Sequence, residues 1–175
     1  PSEDSLAYHR IFNPIHSRPD GTHAGLPLAD ALLAARRHPG RFILGYCPHA
    51  GRSDASALFE SAFHMHGVRV CGEWKQRMLL DDPRSLELFR KAGELGCPVV
   101  VHIDVPYRPN PETGAPTYQG EWYGGTIANF ERALDACPET VFLGHGPGFW
   151  REISADADER PEMYPDGPIC QTGRL

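Results

Sequence analysis

Short apolar runs rich in Val, Ile and Phe recur along the chain at 42–47, 68–74, 98–103 and 140–145, and each predicts a β-strand. Between them lie longer segments whose apolar positions repeat at helical spacing. The clearest is 85–95, which puts Leu86, Leu88, Phe89, Ala92 and Leu95 mostly on one stripe. Asp81-Asp82-Pro83 precedes it as a start signal and Gly96 closes it. Three further helices are predicted: 28–37, rich in Ala and Leu and ended by His38-Pro39-Gly40; 55–66, closed by Gly67; and 126–136, with Ile127, Phe130 and Leu134 on one face.

Strands alternating with helices predict an α/β fold with a parallel sheet. Counted from 42, 68, 99 and 141, the strands begin 26, 31 and 42 residues apart, close to the roughly 30 per unit of a barrel with eight repeats in about 250 residues. The longest interval contains 104–122, rich in Pro, Gly, Tyr and Asn and without periodicity, which reads as a long loop at a strand's C-terminal end. In a (β/α) barrel that end carries the site. A doubly wound open sheet would alternate in the same way, but no Gly-rich phosphate turn follows any of these strands. The expectation is therefore a single partial (β/α) TIM-barrel domain over 1–175, with its regular core at about 27–150. Both ends read as loops: Arg18-Pro19-Asp20-Gly21 is a turn signal, Leu6–Ile15 is at most the tail of a strand, and the polar, Pro-rich stretch from Ser154 leads to Leu175. The chain reads as a piece cut at both ends.

Composition narrows the function. A 41% apolar content over 175 residues is enough for a core, and a net charge of −6 provides no basic field for nucleic acid. No apolar run approaches the roughly 20 residues that span a bilayer, and the N-terminal residues lack the layout of a signal peptide. A soluble, cytoplasmic protein without a membrane or nucleic-acid partner is expected. The five cysteines, an odd number with no Cys-x-x-Cys pair, read as reduced, buried and small hydrophobes.

Candidate chemistry gathers at strand ends. His102 closes Val99-Val100-Val101 and His145 closes Val141-Phe142-Leu143-Gly144. Two imidazoles at equivalent places in successive units can share one divalent ion such as Zn, or carry protons near neutral pH. Glu73 and Lys75, two residues apart at the end of another strand, share a face on an extended chain, so they border the same mouth or form a surface ion pair. Asp104 has the same relation to His102 and is a conceivable third ligand. His38, His64 and His66 stand at helix C-termini, where a cation suits the dipole, while His9, His16, His23 and His49 read as surface loop residues. Gly144-His145-Gly146-Pro147-Gly148 lacks the Lys-Ser/Thr of a phosphate loop, and its glycines suit a backbone that approaches a ligand. Tyr107, Tyr118, Trp122 and Tyr123 line a pocket for a flat substrate or pack the long loop itself.

From His38-Pro39-Gly40-Arg41-Phe42 through Asp81-Asp82-Pro83 and Cys97-Pro98-Val99-Val100-Val101-His102 to Phe142-Leu143-Gly144-His145-Gly146, the chain resembles the amidohydrolase-related (type 2) branch of the amidohydrolase superfamily. The resemblance implies a (β/α)₈ barrel in which these runs are strands three to six. It also implies a divalent metal, zinc by expectation, with His102 as a metal ligand and His145 as a ligand or acid–base residue. Glu73 and Lys75 are then candidate catalytic residues. The implied activity on a small-molecule substrate is hydrolysis of C–N or C–O bonds by a metal-activated water. The alternatives are metal-dependent non-oxidative decarboxylation of an aromatic or unsaturated acid, and an inactive barrel fragment. The family's His-x-His at the end of strand one and Asp at the end of strand eight have no counterparts here, so the expected centre is incomplete and the chain alone is expected to be inactive, marginally stable or self-associating as a homo-oligomer.

Overall fold

Val99, Val101 and Ile103 are buried while Val100 and His102 between them are only partly so, which is the two-residue alternation of a strand with one face against helices. The computed structural model describes residues 28–76, 78–103 and 124–153. In chain order its elements are α1 (Leu28–Arg37), α2 (Ala55–His66), β1 (Cys71–Trp74), α3 (Pro83–Glu94), β2 (Val99–His102), α4 (Ile127–Ala136), β3 (Phe142–His145) and α5 (Pro147–Glu152). The strands form a parallel sheet in the order β1-β2-β3. Residues 44–46 extend it beyond β1 through a parallel bridge between Gly45 and Val70, with Tyr46 N–H donating to Val70 O and Arg69 N–H to Leu44 O. This is a partial α/β fold, and its order, sequential with a helix between neighbours, is that of consecutive strands in an α/β barrel. The expected strand at 42–47 is thus present only as this short pairing.

The helix-facing side of the sheet is the core. Phe89 on α3 meets Trp74 and Phe142 edge-on, with ring centroids 5.7 and 5.4 Å apart, and Phe130 on α4 meets Phe142 at 5.5 Å. These aromatic rings anchor α3 and α4 over β1, β2 and β3. The two helices begin where the sequence signals: Asp82 caps α3 by accepting from Arg84 N–H at 2.9 Å with Pro83 in the first turn, and Thr126 and Asn129 form a capping box on α4. Asp81 ties the loop after β1 to α4, accepting from Asn129 Nδ2 at 2.8 Å and Arg132 Nε at 2.6 Å.

The face opposite the helices carries the candidate site. Phe142 points toward the helices, so Leu143 and His145 share the other face with Val100 and His102, and the ladder sets His102 directly beside His145. β1 reaches this face differently. Cys71 pairs with Val99 and Trp74 with Val101, so three steps on β1 oppose two on β2. That extra residue resets the parity of the strand: Cys71 and Trp74 both turn into the core and Glu73 is left for the opposite side. Gly72 sits within this slip, where a Cβ would lie 2.6 Å from Val100 Cβ. No side chain fits there.

Among the described residues Cys47, Cys71, Cys97 and Cys137 are free thiols, the last three buried, and no helix is long and apolar enough to cross a membrane. The Arg18–Gly21 turn, His9, His16, His23, Asp104, the aromatics Tyr107, Tyr118, Trp122 and Tyr123, Cys170 and both chain ends lie outside the described residues.

Candidate metal centre

Three strand ends bring three donors together. Glu73 Oε1 stands 2.6 Å from His145 Nε2 and 2.8 Å from His102 Nδ1, and the two ring nitrogens are 3.3 Å apart. The imidazoles meet edge to face, with centroids 4.7 Å apart at 85°. His102 is the more enclosed, with 13% of its side chain exposed against 39% for His145 and 43% for Glu73. Glu73 and His145 are the parts of the cluster that reach solvent.

Proton positions follow from the partners. Lys75 Nζ lies 3.2 Å from His102 Nε2; an ammonium donating there assigns the His102 proton to Nδ1, which donates to Glu73, and His145 Nε2–H donates to the same oxygen. Two N–H groups therefore point at one carboxylate oxygen. The hydrogen bond from His102 holds the Glu73 carboxyl down at about 2, against the upward push of burial and with further help from the hydrogen bond of His145. Glu73 is ionised throughout the neutral range.

Glu73, His102 and His145 are a group that can hold a metal ion, one oxygen and two nitrogens within 4.8 Å of one another. Bonds of about 2.0–2.1 Å in a tetrahedral zinc site put ligand atoms about 3.4 Å apart. The edges here are 2.6, 2.8 and 3.3 Å, so the donors need to open by less than about 1 Å to accept an ion in place of the two protons. The donor set fits a divalent cation with a further position for water or substrate.

Sequence reasoning singled out His102, His145, Glu73 and Lys75, and the structure brings all four side chains into one cluster. What it missed is how Glu73 gets there: plain alternation pairs Glu73 with Lys75 on one face, whereas the extra residue in β1 supplies the turn toward His102. It also missed α5, which starts at Pro147 directly after the centre. Pro at a first helical position was the available signal. Of the glycines read as admitting a ligand, Gly146 has φ +92° and lies against the His102 ring and Ile103 O. The close approach there is to the protein's own imidazole.

No family model and no curated protein matches the chain. Two solved structures of similar shape are 5-carboxyvanillate decarboxylase from Sphingomonas paucimobilis, with 14% identity and a TM-score of 0.47 over 88% of this chain and 47% of that one, and 2,6-dihydroxybenzoate decarboxylase from Rhizobium, with 13% identity and a TM-score of 0.44 over 81% and 52%. The chain spans about half the length of each. Likenesses this loose decide neither family nor reaction.

Proposed function

We propose that this chain carries the metal centre of a divalent-metal enzyme that removes CO₂ from a small aromatic or unsaturated acid, and that it is the strand-three-to-six part of a single barrel domain. The observation that supports the metal is the convergence of Glu73 Oε1, His102 Nδ1 and His145 Nε2. Zinc is the ion proposed, since two imidazoles and a carboxylate are an ordinary ligand set for it. When bound, it would draw charge from the oxygens of the substrate.

Hydrolysis is the reading that the family resemblance offers first, and it needs a base to take a proton from the attacking water. Glu73, counted among the three donors to the ion, is not left free to act as that base. Decarboxylation makes a different demand: the C–C bond breaks, CO₂ leaves, the electron pair stays on carbon, and an acid must deliver a proton to that carbon. N–H groups are what the cluster offers, from His145 and from Lys75. His102, the more enclosed ring, is assigned to the ion; His145 is a second ligand or the proton carrier.

The test is product analysis. Metal-loaded chain is incubated with a panel of aromatic and unsaturated carboxylic acids, and with esters and amides, while CO₂ and hydrolysis products are measured. CO₂ release that stops on chelation supports the proposal. Metal-dependent ester or amide cleavage without CO₂ release establishes hydrolysis instead, and absence of stoichiometric metal from the purified chain sinks both.

A further inference from the structure

Gln76 is a polar side chain with 3% exposure, three residues beyond Glu73. Its Oε1 accepts from Ala50 N–H at 2.7 Å, and its Nε2 donates to Pro48 O at 3.0 Å and lies 3.6 Å from Cys47 Sγ. One amide thus grips the two peptide groups that flank His49. Its backbone carbonyl accepts from Gly124 N–H at 3.3 Å. The end of the 44–46 segment, the exit of β1 and the approach to α4 all meet at this residue.

That junction lies where the sheet gives least support. On the side of the 44–46 segment, β1 is held by a bond from Gly72 N–H to Tyr46 O of 3.4 Å. On the side of β2 the register slips between Cys71 and Trp74. Glu73 falls within the slipped stretch, so regular pairing does not set its reach. On the C-terminal side Trp74 pairs with Val101 and is buried against Phe89, Lys75 reaches His102, and beyond them the chain is fastened by the Gln76 clamp. A buried amide with both ends satisfied is directional, and it resists both rotation and sliding of the chain that carries Glu73 and Lys75.

We propose that Gln76 is the positioning residue of the centre: its clamp on Pro48 and Ala50 holds the end of β1 so that Glu73 reaches both His102 and His145. It touches none of the three donors and acts through the backbone. The metal arm of the test below rests on the function proposed above, while the proton arm rests on the geometry alone.

Gln76→Leu keeps the volume and removes both hydrogen bonds, and Gln76→Glu keeps an acceptor for Ala50 while setting an anionic oxygen against Pro48 O. Thr140→Val is the control, because Thr140 Oγ1 donates to Phe89 O at 3.0 Å in a buried site two residues before β3, away from the centre. Each variant is followed by thermal melting, by ¹⁵N signals of the His102 and His145 rings without metal, and by Zn and Co affinity. All three are expected to melt lower than the wild type. Only the Gln76 variants should lose the ring signatures of donation to Glu73 and bind metal roughly ten- to a hundredfold more weakly, the range seen when support of ligands is lost. Gln76 variants that melt lower yet keep wild-type ring signals and metal affinity, as Thr140→Val should, overturn the proposal. Should Gln76→Leu fail to fold, Gln76→Glu decides by the same readouts. A wild type that binds no metal refutes the metal reading, and the ring signals still decide the role of Gln76.

Discussion

Gly146 and His102 are packed backbone against ring: a Cβ on Gly146 would lie 3.2 Å from both Cε1 and Nε2 of His102 and 2.6 Å from Ile103 O. Gly146 also holds φ at +92°, outside the range that side chains adopt easily. The backbone that follows β3 thereby forms a wall of the His102 site, and only glycine can make it.

Gly146→Ala tests this wall. Steric contact with Ile103 O and backbone strain together are expected to cost roughly 1–3 kcal/mol. Because part of that strain is relieved by tilting the His102 ring, metal affinity should fall as well. Melting temperature and Zn titration measure the two effects; a stable variant with unchanged affinity would show that the ring is not held by this contact.

The two histidines can be told apart by what they leave behind. Loss of an ion ligand is expected to weaken binding by at least about tenfold, the lower bound for loss of mere ligand support. His102→Ala should do so under either role of His145. His145→Gln separates those roles: weak metal binding assigns it to the ion, whereas near-normal stoichiometry with lost turnover assigns it to proton transfer. Equilibrium dialysis with metal analysis reads the first, and CO₂ release the second.

How much of this was legible follows from what each signal encodes. The limits of α1 and α2 fall where the helical periodicity and the closing Gly67 put them, because capping and side-chain spacing are local properties. The strand at 42–47 is shorter than its apolar run suggests: Phe42 and Ile43 are 55% and 79% exposed, and pairing is confined to 44–46. An apolar run records a tendency to be covered, not a partner that does the covering. β1 likewise starts at Cys71, not at Val68, since residues 69–70 pair only with that short segment. His102 and His145 were readable because a strand's last residue is visible in sequence. The slip that delivers Glu73 was not, because an extra residue in a ladder is defined by its partner strand.

Asp81 provides a pH test remote from the centre. Burial pushes its carboxyl up, but the hydrogen bonds from Asn129 and Arg132 together outweigh this and leave it below the ordinary 3.8. A depressed folded-state value means that the stabilisation is fully present above 3.8 and fades as pH falls below it. Asp81→Ala should cost about 1 kcal/mol at neutral pH, chiefly the Asn129 bond, since the half-exposed Arg132 pair is screened. The difference in melting temperature between wild type and variant should stay level from pH 7 to 5 and narrow below 3.8. A gap that widens on acidification would contradict the sign.

Among the described residues β3 pairs with β2 alone, and Val141 and Leu143 are 63% and 49% exposed. Ile43, by the opposite edge, is 79% exposed. An edge strand with apolar side chains and open backbone groups is a template for a second chain. The chain is therefore expected to self-associate, with the population of larger species rising with concentration. Leu143→Lys places a charge on that edge without touching the buried rings of Phe89, Phe130 and Phe142, and it should shift the distribution toward monomer while leaving the melting temperature near that of the wild type at low concentration. Sedimentation velocity at several concentrations measures this. Association that persists unchanged in Leu143→Lys and in the double variant with Val141→Lys would place the contact elsewhere, and a wild type that stays monomeric throughout would show that this edge is covered by the chain's own residues.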